Sequence, residues 1–147
     1  MEIKLQQIKN FDRNRIREKW LLDPLIKKFI SYFPDASLQN EKEKPSFSQN
    51  YEILYEDKLV GDLKVFGNKK DLKNKTVQFL IVLGESRGKG VGTMVVKLLL
   101  QKLKKMFNTV YCNVNRYNTA SIKMLQKNRF LIKNLKGSEV IFYKTLV

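Results

Sequence analysis

Residues 84–93 read GESRGKGVGT, four glycines and two cations in ten positions. Small residues let successive backbone N–H groups converge on one oxyanion, and a helix opening behind them adds the positive end of its dipole. The stretch lies between the apolar run FLIVL (79–83) and a long helical pattern, so it reads as a strand-to-helix turn able to hold an anion. It is not a Walker A loop. Gly84 and Gly88-Lys89 enclose three residues where four are required, and Gly90 stands where Ser or Thr belongs. It is not a dinucleotide fingerprint either, because Thr93 replaces the third glycine and YCNVN occupies the region of the ribose-binding acid. What remains is Arg-x-x-Gly-x-Gly over 87–92. Helix-opening glycines cost about 0.8–1 kcal/mol each unless something offsets them, which argues against a turn with no ligand.

Other chemistries are excluded by composition. The chain has no histidine and one cysteine, Cys112, which removes disulfides, cysteine-rich zinc sites, Ser-His triads and Cys-His nucleophiles. Cys112 alternates with Val110 and Val114 in TVYCNVN (109–115) and reads as a core thiol. Charge is uneven: residues 87–147 hold 13 Lys and Arg against one acid, Glu139, and carry +12 of the net +15. The carboxyl half faces anions or simply carries solvated lysines. Apolar runs are far shorter than the roughly 20 residues of a membrane span, and MEIKLQQIKN lacks a signal-peptide apolar region, so the expected location is cytoplasmic.

The elements that must position the turn are mixed. A length of 147 residues with 43% hydrophobic content suits one domain spanning 1–147. EIKLQQI (2–8) is expected as a strand. Asp12 is expected to cap a helix carrying Ile16, Trp20 and Leu21, and Asp23-Pro24 to open a second helix with Leu25, Ile26, Phe29, Ile30 and Phe33, stopped by Pro34. Residues 34–50 read as a mobile loop. YEILYE (51–56), a turn at Asp57-Lys58, LVGDLKVF (59–66), a polar turn GNKKDLKNK and TVQFLIVL (76–83) form an antiparallel meander. Val91, Met94, Val95, Leu98, Leu99, Leu103, Met106 and Phe107 mark one amphipathic helix, its methionines filling core. This helix crosses over to the parallel strand 109–115; a short helix (118–128) and two closing strands, FLIKNL and EVIFYKTL, follow.

With these elements in place the sequence resembles the GNAT acetyltransferase superfamily. RGKGVG fits its pyrophosphate-binding pattern, and NTASIKMLQKNRF (118–130) resembles its second signature, an asparagine, a small residue and a helix ending before Gly-Phe. REKWLLDP and Ser121 followed by IKMLQK look most like the ribosomal-protein alanine acetyltransferase branch. The resemblance implies a single-domain GNAT-like α/β (α+β) fold, a mixed, mostly antiparallel sheet of about seven strands flanked by about four helices. It implies acetyl-CoA as donor and an amine that attacks the thioester directly. Carried onto this chain, it places the backbone of Ile81, Val82 and Leu83 along the pantetheine arm, and Arg87, Gly88, Lys89, Gly90, Val91, Gly92 and Thr93 around the pyrophosphate. Asn118 bonds the pantetheine, Lys127 lies near the nucleotide phosphates, and Ser121 serves the sulfur. The chain departs from the pattern at Gln78, where many members have a glutamate base, at Leu125, where many have a tyrosine acid, and at Arg129, where a glycine is usual.

Two functions fit these residues. One is an acetyl-CoA-dependent N-acetyltransferase. The other is a basic nucleic-acid- or ribosome-associated CoA-binding module whose transferase activity is weak or lost. The charge favours an amine on an anionic partner, such as an amino-sugar nucleotide, an aminoacyl-tRNA or an RNA-associated protein, over a polycation. No membrane or metal is expected, and the oligomeric state, monomer or dimer, stays open.

Overall fold

Alternation of apolar and polar residues in TVQFLIVL builds the central strand, because successive side chains leave a strand on opposite faces. In the computed structural model, which describes residues 2–12, 14–29 and 45–146, this is β4 (Thr76–Leu83). The other strands are β1 (Ile3–Ile8), β2 (Phe47–Tyr55), β3 (Lys58–Gly67), β5 (Thr109–Asn115), β6 (Leu131–Lys136) and β7 (Glu139–Thr145). Among the described residues the helices are α1 (Arg15–Leu21), α2 (Pro24–Phe29), α3 (Lys69–Lys73), α4 (Val91–Leu103) and α5 (Thr119–Lys127). The seven strands form one sheet in the order β1-β2-β3-β4-β5-β7-β6. All neighbours are antiparallel except β4 and β5, which α4 joins as a parallel crossover.

The β4–β5 pairing is short. It runs from Thr76↔Thr109 to Gln78↔Tyr111 and stops, while β4 stays paired with β3 up to Leu83↔Gly61. The two halves of the sheet therefore splay apart beyond Gln78, leaving the β5-facing backbone of residues 79–83 without a neighbouring strand. Side chains hold the vertex: Asp71 Oδ2 accepts from Gln78 Nε2 at 3.1 Å, and Asp71 Oδ1 accepts from the Tyr111 hydroxyl at 3.0 Å. Burial, and then the Asp71 carboxylate, push the Tyr111 phenol well above its ordinary pKa, so it stays a donor.

The core lies on the α4 side. Val91, Val95, Val96, Leu99 and Leu103 meet Ile53, Leu63, Val65, Val77, Phe79, Val110, Cys112 and Phe142. Burial pushes the Cys112 thiol up to about 12, leaving it inert at neutral pH. On the opposite face Trp20 and Ile26 pack on Val82, seating α1 and α2 over the end of β4.

Several expected boundaries move. Asn14, not Asp12, caps α1, its Oδ1 accepting the Arg17 N–H at 2.8 Å; Asp12 gives its carbonyl to Arg17 Nη1 instead. Ile16 is exposed while Arg17 is buried, because Arg17 forms a fork with Asp62 (Nε to Oδ2 2.9 Å, Nη2 to Oδ1 2.7 Å) and also reaches Glu52 at 2.7 Å. Residues 47–50 belong to β2, and the hairpin turn is Glu56-Asp57, both at positive φ, rather than Asp57-Lys58. GNKKDLKNK contains α3, nucleated by a capping box between Asn68 and Asp71. The long helix ends at Leu103, so Met106 is exposed, and Met94 is open too; neither fills the core. Leu25 is also exposed. The expectations for Ile30, Phe33, Pro34 and the loop over 34–44 lie outside the described residues.

Candidate active site

One cleft of about 420 Å³ runs through the splay. β4 contributes Ile81, Val82 and Leu83; the turn and α4 contribute Arg87, Gly88, Gly90, Val91, Gly92 and Thr93; α5 and its cap contribute Asn118, Ser121 and Lys127. These are residues singled out in the sequence, brought together from segments up to 46 positions apart. Lys89 does not line the cleft and is exposed. Residues that sequence reasoning missed also line it: Leu25 and Ile26 of α2, and Ala120, Lys123 and Met124 of α5. Ala120, Lys123, Met124 and Lys127 stand at i, i+3, i+4 and i+7 on one face of α5, so the helical period from Lys127, already singled out, put the other three within reach.

The turn fits an anion. Gly88 and Gly90 adopt φ +79 and +78, and a Cβ at either would meet nothing within 4 Å, so backbone conformation and open approach, not packing, require glycine there. Gly90 is the N-cap of α4 and offers no side-chain bond, so the first-turn N–H groups of α4 have no cap acceptor. Gly92 has a different reason: its hypothetical Cβ would lie 2.9 Å from Met124 Sδ, where α4 and α5 cross closely. Asn128 Nδ2 ties the same pair by donating to the carbonyls of Thr93 (3.1 Å) and Met124 (3.0 Å).

Asn118 lines the cleft and caps α5, its Oδ1 accepting the Ser121 N–H at 3.2 Å. Arg87 is engaged across the cleft mouth: its Nη2 donates to Asp23 Oδ2 at 2.6 Å. This bond, with the Leu25 N–H on the same carboxylate, holds Asp23 below its usual pKa. Gln78 has no proton-accepting role here, since its amide is spent on Asp71. Arg129 sits at φ +63 just past α5; its N–H reaches the Gln126 carbonyl and the Phe130 N–H the Leu125 carbonyl, a Schellman closure that favours glycine at this position.

A splayed parallel pair beside a glycine-opened helix agrees with the family comparison, in which residues 14–130 match the model of the acetyltransferase (GNAT) family. The chain belongs to the GNAT acetyltransferase family. Acetyl-CoA is accordingly its cofactor. The fold is shared with solved structures over nearly the whole chain. A domain from Methanocaldococcus jannaschii is 24% identical, with a TM-score of 0.72 and 98% of each chain covered. The aminoglycoside acetyltransferase AAC(6')-Ib in complex with coenzyme A is 17% identical, with a TM-score of 0.76, covering 98% of this chain and 95% of that one. Spermidine N-acetyltransferase from Vibrio cholerae, in complex with CoA and spermine, is 14% identical, with a TM-score of 0.71 and the same coverage. No curated protein sequence matches. No helix among the described residues is long and apolar enough to cross a membrane.

Proposed function

We propose that this GNAT protein transfers the acetyl group of acetyl-CoA to a primary amine by direct attack on the thioester, at the splay between β4 and β5. The observation that carries the reading is the meeting, in one cleft, of an unpaired strand edge, an uncapped helix N-terminus and Ser121. The bound cofactor supplies the activated acetyl group. Backbone N–H groups of Ile81 to Leu83 hold the pantetheine as an added strand would and polarise the thioester carbonyl. Gly88 to Thr93, with Arg87, take the pyrophosphate through backbone N–H groups, the helix dipole and the guanidinium. Lys127, exposed at the rim, lies ready for the remaining phosphate, and Lys89 acts through its field. Holding amine and carbonyl in register contributes on the order of 7–11 kcal/mol.

Ser121 donates to the sulfur as it gains charge. With Leu125 fully buried where many relatives have tyrosine, Ser121 is the hydroxyl of α5 that lines the cleft. With Gln78 committed to Asp71, the amine attacks in its neutral form, so the rate rises with pH toward the amine's own pKa. The finer placement near the ribosomal-protein branch rests on REKWLLDP, on Ser121 followed by IKMLQK, and on Leu125. An anionic acceptor, such as an amino-sugar nucleotide, an aminoacyl-tRNA or an RNA-associated protein, rests on the charge of residues 87–147. The test is free-thiol release from acetyl-CoA with a panel of amines. Ser121→Ala should lower kcat about tenfold with CoA affinity unchanged, as for an interaction made only in the transition state. CoA binding without thiol release from any amine would instead favour a basic module that has lost transfer.

A further inference from the structure

Lys64 is a half-buried cation with no ion pair or hydrogen bond among the described residues. It lies on β3 between Leu63 and Val65, both fully buried on the α4 side, so its side chain leaves the opposite face, the one that carries α1 and α2. Across the sheet it pairs with Leu80, two residues before Val82 of the cleft. Neither residue lines the cleft itself, but with about 3.3 Å per strand residue and a four-carbon side chain, Lys64 is long enough for its ammonium to reach a group bound beside β4.

Every carboxylate that β2, β3 and α3 bring to this face is already committed. Glu52 and Asp62 are held by Arg17, and Asp71 accepts from Asn68, Gln78 and Tyr111. β4 has no acid at all. On the other side Lys64 pairs with Asn50, which is neutral and spends its amide on the Lys9 carbonyl. Burial lowers the Lys64 pKa, and no charged neighbour among the described residues offsets it. An unpaired, partly desolvated ammonium costs stability unless an anion meets it.

Building on the acetyltransferase reading above, we propose that Lys64 is the specificity-determining residue of the acceptor side, and that it takes a carboxylate or phosphate borne by the acceptor close to its reacting amine. The same floor disfavours polyamines, since among the described residues β2, β3, β4 and α3 offer a cation and no uncommitted carboxylate where their second charge would fall.

Matched pairs that differ only in this charge test it: L-phenylalanine against its amide for a carboxylate, and glucosamine 6-phosphate against glucosamine for a phosphate. Affinity for the CoA-saturated protein is measured by calorimetry, and kcat/KM by thiol release. The anionic member of at least one pair should bind about tenfold more tightly, about 1.4 kcal/mol. Lys64→Met should bring that ratio to about one, Lys64→Arg should keep it, and Lys64→Glu should admit spermidine, with CoA affinity constant throughout. Equal affinity within both pairs, absence of binding included, or a ratio that survives in Lys64→Met, overturns the proposal. Charge discrimination in binding without any thiol release would sustain the role of Lys64 and count against acetyl transfer; transfer without discrimination would do the reverse.

Discussion

Arg87 Nη2 sits 2.6 Å from Asp23 Oδ2, so the cation proposed to meet the pyrophosphate is already held by the residue that opens α2. The cofactor turn and the arm over the acceptor face thus share one ion pair, and a bound pyrophosphate competes with a carboxylate for the same guanidinium.

Asp23→Asn should therefore raise affinity for CoA about two- to fivefold at low salt, within the range of exposed ion pairs, while keeping the acceptor that caps Leu25. Titration calorimetry at 20 and 200 mM salt measures it, with the gain shrinking at the higher salt. A loss of affinity would mean that Asp23 aims Arg87 rather than competes for it. The pH dependence has a defined sign. Arg87 depresses the Asp23 pKa, so the ion pair's stabilisation is present above the unfolded carboxyl value near 4 and is lost as pH falls through the lower folded value. The thermal midpoint advantage of the parent over Asp23→Asn should fade across that acidic window and be constant above pH 6.

Arg129 holds a left-handed conformation that glycine adopts without penalty. Arg129→Gly should stabilise the fold by about 1 kcal/mol in urea unfolding, with no change in slope. A destabilised variant would show that the Arg129 side chain contributes more than its backbone costs.

Gly84 carries the indole of Trp20 so closely that an added Cβ would overlap the ring. Gly84→Ala should cost about 1–3 kcal/mol by overpacking and shift the emission of Trp20, the chain's one tryptophan. Trp20→Leu in the same background should recover part of the loss. Wild-type stability in Gly84→Ala would mean that α1 does not rest on the end of β4 as described.

The parts of this molecule legible in its sequence are those governed by period and by glycine. TVQFLIVL and TVYCNVN match β4 and β5 residue for residue, and the glycine turn lies between a strand and a helix as its composition requires. What escaped was set by tertiary pairing. Arg17 shares the buried side of α1 with Trp20, yet a charged residue is not read as core unless its partners are known, and Asp62 and Glu52 lie 45 and 35 positions away. Gln78 looked like a lost base; it is instead a strut between Asp71 and the splay, a role that no local pattern displays. The five residues of α3 were hidden because Asn68 and Asp71 cap a helix too short to show a period. Arg129 stood out only as a departure from a usual glycine, and its positive φ supplies the reason.

The claim on which the rest depends is that the turn over 87–92 cradles the pyrophosphate of acetyl-CoA. Thermal unfolding of the parent protein and of Gly90→Asp, with and without acetyl-CoA, tests it directly. At 100 times its dissociation constant the ligand should stabilise the parent by about 2.7 kcal/mol. Gly90→Asp, which sets a carboxylate against the phosphates at the uncapped start of α4, should abolish the shift. No shift in the parent, or a shift that persists in Gly90→Asp, would contradict the account.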